Sequence, residues 1–374
     1  MLLQKLWLTD FRSYESAELA LAPGLTAVVG DNGQGKTNLL EAIAWLATLE
    51  SFRGVGSDAL VRAGAERAVL RAEGEREGRA LLLEAELVPS GRNRVLVNKQ
   101  RLQRSRDLLG AIRVTVFAPD DLELVKGGPQ GRRRYLDDTL VALHNRYDAV
   151  RSDVDRILRQ RNALLKSSGG RLDESVAITL DVWDTKLAES GEELGRLRVA
   201  LCDRLAPVVE AAYRAVAVGA EARASAGMRY ESVWYGAPGG LVAALEAGRG
   251  DDLRRGTTLV GPHRDDLGLH LGGMPARTHA SQGEQRSLAL ALRLAAHDVV
   301  TATTGAAPVL LLDDVFSELD ERRGDALLAT LPAGQTLLTS AGGLPRQAAP
   351  ERVLRVETVP APGGGVVSRI VEDG

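Results

Sequence analysis

Apolar positions dominate residues 2–8 (LLQKLWL) and 25–29 (LTAVV), and both segments read as strands. A glycine-rich turn follows the second, and residues 36–49 then carry a helical pattern. Residues 68–97 are short apolar segments broken by glycine, proline and charge. They predict antiparallel strands around turns at Gly74–Gly78 and Pro89–Gly91. Residues 111–117 (AIRVTVF) predict a buried strand closed by Pro119. The period then changes. Leu136, Leu140, Leu143, Tyr147, Val150, Val154 and Ile157 alternate spacings of 4 and 3, a heptad stripe broken by Arg161 and resumed at Leu164. A second stripe runs through Leu180, Trp183, Leu187, Leu194, Leu197 and Leu201, with Ser190 in the gap position. The break at Ser167–Gly170 between them implies an antiparallel helical hairpin. Taken as one helix, residues 132–166 would span about 50 Å.

Strand signal returns near 228 (MRYESVWYG), followed by a glycine-rich, charged stretch at 246–256. The C-terminal part then reads as helix 281–300, apolar run 308–312, helix 320–330, apolar run 336–340, and short strands at 352–356 and 366–370. Strand–helix alternation at both ends, with helices inserted between, predicts one α/β domain whose halves are separated in sequence. The expected division is a head at 1–125, a helical lobe at 126–294, and the rest of the head at 295–374.

Composition narrows the function classes. The 374 residues include 47 basic and 50 acidic side chains, so a globally basic nucleic-acid coat is excluded while local patches are not. A single cysteine, Cys202, rules out an intramolecular disulfide or a cysteine-cluster zinc site. The opening MLLQKLWLTDF carries Lys5 and Asp10 and does not read as a signal peptide. No run of 18 apolar residues occurs, so no membrane span and a cytoplasmic location are expected. Only six of the basic residues are lysines, which makes a lysine at a motif position harder to obtain by chance.

Gly30-Asp31-Asn32-Gly33-Gln34-Gly35-Lys36-Thr37 fits G-x-x-x-x-G-K-[ST] between a strand and a helix. Its glycines let backbone N–H groups wrap phosphate oxygens, and the helix N-terminus adds its dipole. Lys36 would reach the β- and γ-phosphates of ATP, and Thr37 would hold Mg²⁺. Leu310-Leu311-Leu312-Asp313-Asp314 is a buried strand ending in carboxylates: Asp313 for the metal, Asp314 for orienting the attacking water. Ser281-Gln282-Gly283-Glu284-Gln285 opens a helix about 28 residues before Asp313, and Ser281 with Glu284 fits a capping box. It is similar to the S-G-G-x-Q signature of ABC-type ATPases, with Gln282 in place of the first glycine. Ser317-Glu318-Leu319-Asp320 resembles the D-loop of the same superfamily.

The first motif and the signature lie about 245 residues apart with a helical arm between them, an arrangement that resembles the RecF family of SMC-like ATPases. FRSY (11–14), GDNGQGKTNLLEAI (30–43), VFAPDDLELVKGGP (116–129), RRRYLD (132–137), QRNALLK (160–166), GPHRDDL (261–267) and LLLDDVFSELD (310–320) carry the resemblance along nearly the whole chain. It implies an α/β fold: an ABC-type P-loop ATPase head with an inserted helical lobe, a short antiparallel helical arm. It also implies an ATP-dependent homodimer, with Gly30–Thr37 of one subunit facing Ser281, Gly283 and Gln285 of the other. Arg12 of FRSY would join the nucleotide site. The implied role is DNA repair and replication restart at single-stranded gaps and junctions, with RecO and RecR as partners, support of the SOS response, and a weak, DNA-stimulated ATPase.

The chain departs from the superfamily pattern in three further places. Thr339-Ser340 stands where transporters carry a sensing histidine, Ala118 stands near the expected glutamine with Asp120 and Asp121 as candidate substitutes, and the second carboxylate is Asp314 rather than glutamate. Slow turnover is expected. For DNA, residues 92–134 hold eleven basic against four acidic side chains, and Lys99, Arg101, Arg104, Arg132, Arg133 and Arg134 are the candidate contacts. Arg151, Arg156, Arg159, Arg161 and Lys166 add charge on the arm. With 4% aromatic residues, no stacking platform for bare bases is evident. His263 and Cys202 read as structural residues. Two other classes compete with the repair switch. A transporter ATPase subunit would need the histidine and no arm. A DNA scaffold would use ATP only to lock a dimer.

Overall fold

The strand before the glycine-rich turn, β3 (Leu25–Val29), sits in the middle of a six-stranded sheet of order β15-β14-β3-β13-β12-β8. The others are β8 (Val114–Phe117), β12 (Val309–Leu312), β13 (Thr336–Ser340), β14 (Arg352–Pro360) and β15 (Val366–Glu372). All neighbours are parallel except β14–β15. Parallel strands covered on both faces read as unbroken apolar runs, and β12 (VLLL) is buried at every position. A second, antiparallel sheet has the order β2-β1-β4-β5-β6-β7. It contains β1 (Leu2–Phe11), β2 (Tyr14–Ala20), β4 (Ala68–Arg76), β5 (Arg79–Leu87), β6 (Arg94–Val97) and β7 (Gln100–Arg101). The computed structural model describes residues 1–217, 225–317, 319–345, 347–361 and 364–372.

Helix α1 (Lys36–Thr48) touches strands of both sheets, and every residue from Leu39 to Ala47 is buried. A helix apolar on all sides belongs in a core, which explains LLEAIAWLA. Its side chains share one cluster with Leu6, Leu8, Leu70 and Leu83 of one sheet and Leu311, Leu337 and Leu354 of the other. Buried Gln335 adds a polar clamp. Its amide accepts from Leu3 N at 2.8 Å and donates to Leu3 O at 2.6 Å and Ala22 O at 2.8 Å. A short helix, α2 (Ser57–Leu60), lies between α1 and β4 in sequence.

The chain divides into two compact units, one of Met1–Asp121, Ala212–Arg223 and Leu290–Gly374, the other of Leu122–Ala211 and Ala224–Ala289. In the second unit come α3 (Leu122–Lys126), α4 (Pro129–Leu143) and α5 (Arg146–Ser167). They are followed by α6 (Glu174–Val216), which extends beyond that unit, and by α7 (Gly240–Arg255) and α8 (Ala276–His279). Its sheet has the order β11-β10-β9, from β9 (Ala226–Glu231), β10 (Asp266–Leu271) and β11 (Met274–Pro275). Helices α9 (Gln282–Thr304) and α10 (Glu321–Thr330) complete the chain.

One expectation about the lobe is corrected, and one stretch with no predicted element proves helical. The first heptad stripe is not one helix. It breaks at His144, whose backbone is extended, and Arg151 of α5 reaches back to Asp138 of α4 at 3.2 Å. The stripe hides the corner because Leu136, Leu140 and Leu143 on one side and Val154 and Ile157 on the other are all buried. The glycine-rich stretch at 246–256 is also mostly helix. Three glycines lower the propensity of α7, and buried Leu241, Leu245 and Leu253 outweigh it. The hairpin of α5 and α6 is therefore not bare. Leu253 of α7 packs with Leu165 and Leu180.

Candidate functional site

The turn between β3 and α1 needs its glycines for two different reasons. Gly30 has φ +152°, and a Cβ there would lie 2.3 Å from Val356 O. Gly35 has φ +106°, caps α1, and leaves no room for a Cβ beside Ser368 Oγ and Ser13 Oγ. Asp31, Asn32 and Gly33 are exposed at the tip, and Gln34 Oε1 accepts from Asp31 N at 2.8 Å. Lys36 is 6% exposed, and its Nζ donates to Gly30 O and Asp31 O, each at 2.8 Å. Burial lowers the Lys36 pKa, while Asp314, Asp313 and Asp31 oppose the shift. The loop is thus closed around an ammonium group that can exchange two carbonyls for phosphate oxygens.

At the first turn of α1, Thr37 Oγ1 donates to Asp313 Oδ1 at 2.8 Å. The end of β12 and the start of α1, 276 residues apart, are brought together here. Burial raises the Asp313 pKa, and hydrogen bonds from Thr37 and Thr339 pull it back. A hydroxyl beside a carboxylate is a hard-oxygen donor pair that suits Mg²⁺, with water and phosphate completing the shell. Next to it, Asp314 has φ +47°, and its Oδ1 is buried with no hydrogen-bond partner among the described residues. An oriented water would satisfy that oxygen. No cluster of three His, Cys, Asp or Glu side chains suited to a metal exists among the described residues.

Three supports of the loop escaped the sequence. Tyr14 Oη donates to Gly35 O at 3.1 Å. Ser368 Oγ lies 2.5 Å from Gln34 O and 2.7 Å from Ser13 Oγ, and Asn38 Nδ2 donates to Ser13 Oγ at 2.8 Å. Ser13 and Tyr14 lie inside FRSY, but nothing in the sequence marks Ser368, on the last strand, as a neighbour of the loop. Ser368→Ala is expected to weaken ATP binding about tenfold, about 1.4 kcal/mol, by unseating the Gln34–Gly35 peptide. Titration calorimetry checks this, with circular dichroism to show an intact fold.

Arg12 is tied to the helix after the loop. Its guanidinium forks onto the buried Glu41 carboxylate at 2.7 and 2.6 Å and donates to Ala59 O at 2.8 Å, which braces α1. Asp121 is likewise structural. It accepts from Ala118 N at 3.0 Å and from Arg293 at 2.6 Å, whereas Asp120 is exposed. Thr339 does not face outward, since its hydroxyl is spent on Asp313.

The signature segment lies in the second unit. Ser281 and Glu284 cap each other: Ser281 N donates to Glu284 Oε2 at 2.7 Å and Glu284 N to Ser281 Oγ at 3.2 Å. Ser281 and Gln282 are exposed and Gly283 is half-buried. Gln285 is turned inward instead, and its Nε2 donates to Ala276 O and Arg277 O at 3.2 Å each. It holds α8 through Nε2, while its Oε1 is buried without a hydrogen-bond partner among the described residues. Glu318 of the D-loop segment lies outside the described residues.

The basic candidates separate cleanly. β6 and β7 join through Asn98 and Lys99, both at positive φ, the two-residue turn that suits the strand twist. Lys99, Arg101 and Arg104 are exposed there, along with Arg92, Arg94 and Arg106, and none of the six forms an ion pair among the described residues. Arg132, by contrast, is buried and grips Asp266 through two bonds of 2.7 and 2.9 Å. Arg133 is half-buried and donates to Asp265 O at 2.8 Å. Arg134 is exposed but paired with Asp138 at 3.5 Å. The RRRYLD segment therefore builds the lobe. His263 does too: it meets Thr258 O at 2.9 Å, and burial pushes its pKa down to about 4. Burial raises the Cys202 thiol to about 12 and leaves it inert.

The family described as RecF/RecN/SMC N terminal domain matches residues 2–338. A protein of Kineococcus radiotolerans named DNA replication and repair protein RecF is 49% identical over 357 residues, covering 89% of this chain and 91% of the relative. One of the same name from Streptomyces avermitilis is 48% identical over 352 residues, covering 89% and 91%. Among solved structures, the recombination mediator protein RecF with ATP, described as part of the RecFOR pathway, superimposes with a TM-score of 0.87. It is 28% identical and covers 98% of this chain and 97% of that one. The Smc head domain of Pyrococcus furiosus is similar in fold alone, with a TM-score of 0.58 and 17% identity over 99% of this chain and 95% of that one.

Proposed function

This chain belongs to the RecF family of DNA replication and repair proteins, and on that premise we propose that it is an ATP-gated DNA-binding switch. The observation that carries the reading is the Thr37–Asp313 contact, which joins the phosphate loop to the carboxylate strand in one site. Phosphate oxygens replace the carbonyls around Lys36, and the amides of the loop and the first turn of α1 take the remaining charge. Thr37 and Asp313 would hold Mg²⁺, which would neutralise phosphate charge. Asp314 orients the attacking water through its unpartnered Oδ1. A shorter arm than glutamate holds that water less tightly, so hydrolysis is slow and resets a switch.

The capped, exposed Ser281 supports ATP-dependent dimerisation. Its helix start presents donors that a γ-phosphate of a second subunit would engage, and hydrolysis would remove that bridge. The six ion-pair-free cations around β6 and β7 suit duplex and single-strand phosphates at gaps and junctions. We place the protein with RecO and RecR in the cytoplasm, as a weak, DNA-stimulated ATPase that supports the SOS response. No helix among the described residues is long and apolar enough to cross a membrane.

The basic edge is tested by replacing Lys99, Arg101 and Arg104 together with alanine. Affinity for gapped DNA is expected to fall, and the slope of log affinity against log salt to shrink by about 2 to 3. ATP affinity is expected to stay unchanged. An unaltered salt slope in fluorescence anisotropy would move the DNA surface elsewhere.

A further inference from the structure

Thr339 is the fourth residue of β13 and is fully buried. Its hydroxyl makes two bonds at once. Oγ1 donates to Asp313 Oδ1 at 2.9 Å and accepts from Asp314 N at 2.8 Å. Asp313 Oδ1 also accepts from Thr37 Oγ1. Beyond Asp314, its carbonyl accepts from Ser317 Oγ at 2.7 Å and Ser317 N at 3.3 Å. One line of hydrogen bonds therefore runs from the first turn of α1, through both carboxylate residues, to the turn after β12.

We propose that Thr339 is a positioning residue that links occupation of the metal site at Thr37 and Asp313 to the backbone of Asp314 and Ser317. The proposal rests on the nucleotide-site reading above and deepens it. A hydroxyl that ligates a cation turns its oxygen lone pair to the metal, so Thr37 would no longer orient Asp313 in the same way. Thr339 is then the side-chain donor left to aim that carboxylate. The same hydroxyl holds the Asp314 amide, and Asp314 has φ +47°, a left-handed conformation that aspartate tolerates better than most residues. A change in the hydrogen-bond demand at Asp313 thus reaches Asp314 through one shared oxygen. Neighbouring Ser340 cannot substitute, because its hydroxyl donates to Gly343 O at 2.6 Å. The Thr339 side chain is turned inward and acts through the carboxylate residues.

The test compares Thr339→Val, which keeps the shape and removes the hydroxyl, with Thr339→Ser, which keeps the hydroxyl. Thr339→Ala serves as the second hydroxyl-free variant should valine disturb β13. Binding of a fluorescent ATP analogue is titrated with Mg²⁺ and repeated in EDTA. Amide hydrogen exchange at 314–317 is followed in the nucleotide-free protein. For Val, the half-saturating Mg²⁺ concentration is expected to rise about tenfold, the range for partners that orient a metal ligand. Binding in EDTA is expected to match wild type, and the Asp314 amide to exchange about tenfold faster. Ser is expected to behave as wild type in all three. A hydroxyl-free variant with wild-type Mg²⁺ dependence and exchange overturns the proposal, as does a Ser variant as impaired as Val. If the wild-type protein binds no nucleotide, the site reading itself fails, while the exchange comparison still decides whether the hydroxyl holds Asp314.

Discussion

Lys36→Met is expected to abolish ATP hydrolysis and to weaken ATP binding severely, by a factor on the order of 100 or more in turnover. Methionine retains the stem and removes the charge. The lost interaction is one the closed loop concentrates on a single atom, since Nζ is the point where Gly30 O and Asp31 O converge. The pKa shift makes the same point from the other side: burial disfavours the Lys36 ammonium in the nucleotide-free protein, and anionic phosphates restore its stabilisation. Folding is expected to be little affected, because methionine keeps the apolar stem and Asp31 is exposed. The check is steady-state phosphate release together with a thermal melt. Hydrolysis at the wild-type rate would remove Lys36 from the chemistry.

Arg161→Ala is expected to cost about 3–5 kcal/mol of stability, the largest structural effect foreseen for one substitution. Arg161 is wholly buried, with Nε on Asp184 at 2.6 Å and Nη1 on Asp252 at 2.6 Å and Thr258 Oγ1 at 2.9 Å. Removing it takes the guanidinium away from two buried carboxylates, Asp184 and Asp252. Arg249 still reaches Asp184 at 2.6 Å, so Asp252 loses more. Burial already raises the Asp252 pKa, and the Arg161 bonds oppose the rise. Without them the folded-state value climbs further above the unfolded one. A carboxyl with a raised folded-state pKa stabilises the fold as pH falls through that value, so the deficit should narrow in mild acid. Urea unfolding at neutral pH and near pH 5 measures both effects. An unchanged midpoint at neutral pH would mean that water or neighbours solvate the pair.

Much of the nucleotide site is legible in the sequence because its chemistry is local. The loop, the strand before it and the helix after it lie within a few residues, and strand Leu25–Val29 falls at the expected positions. Asp313 and Asp314 end an apolar run that fits a strand of a sheet covered on both faces. What escapes the sequence is what depends on partners far along the chain. Ser368 meets Gln34 across 334 residues, and Arg161 meets Asp252 across 91. Arg132 and Arg161 have the composition of a DNA contact, and only the acids opposite, Asp266 and Asp184, reveal them as interior. Helix α7 was hidden by its glycines, and the corner between α4 and α5 by a hydrophobic stripe that keeps its phase across it. A heptad pattern records which side is buried, not whether the backbone is continuous.

The coupling of the phosphate loop to DNA is tested most directly by the affinity of the unaltered chain for a gapped duplex with ATP, with ADP and without nucleotide. Fluorescence anisotropy at one fixed salt concentration gives all three values. ATP is expected to tighten binding over both other conditions, with the Lys36→Met chain showing no such gain. Equal affinity in all three conditions, with ATP binding shown separately, would contradict an ATP-gated switch.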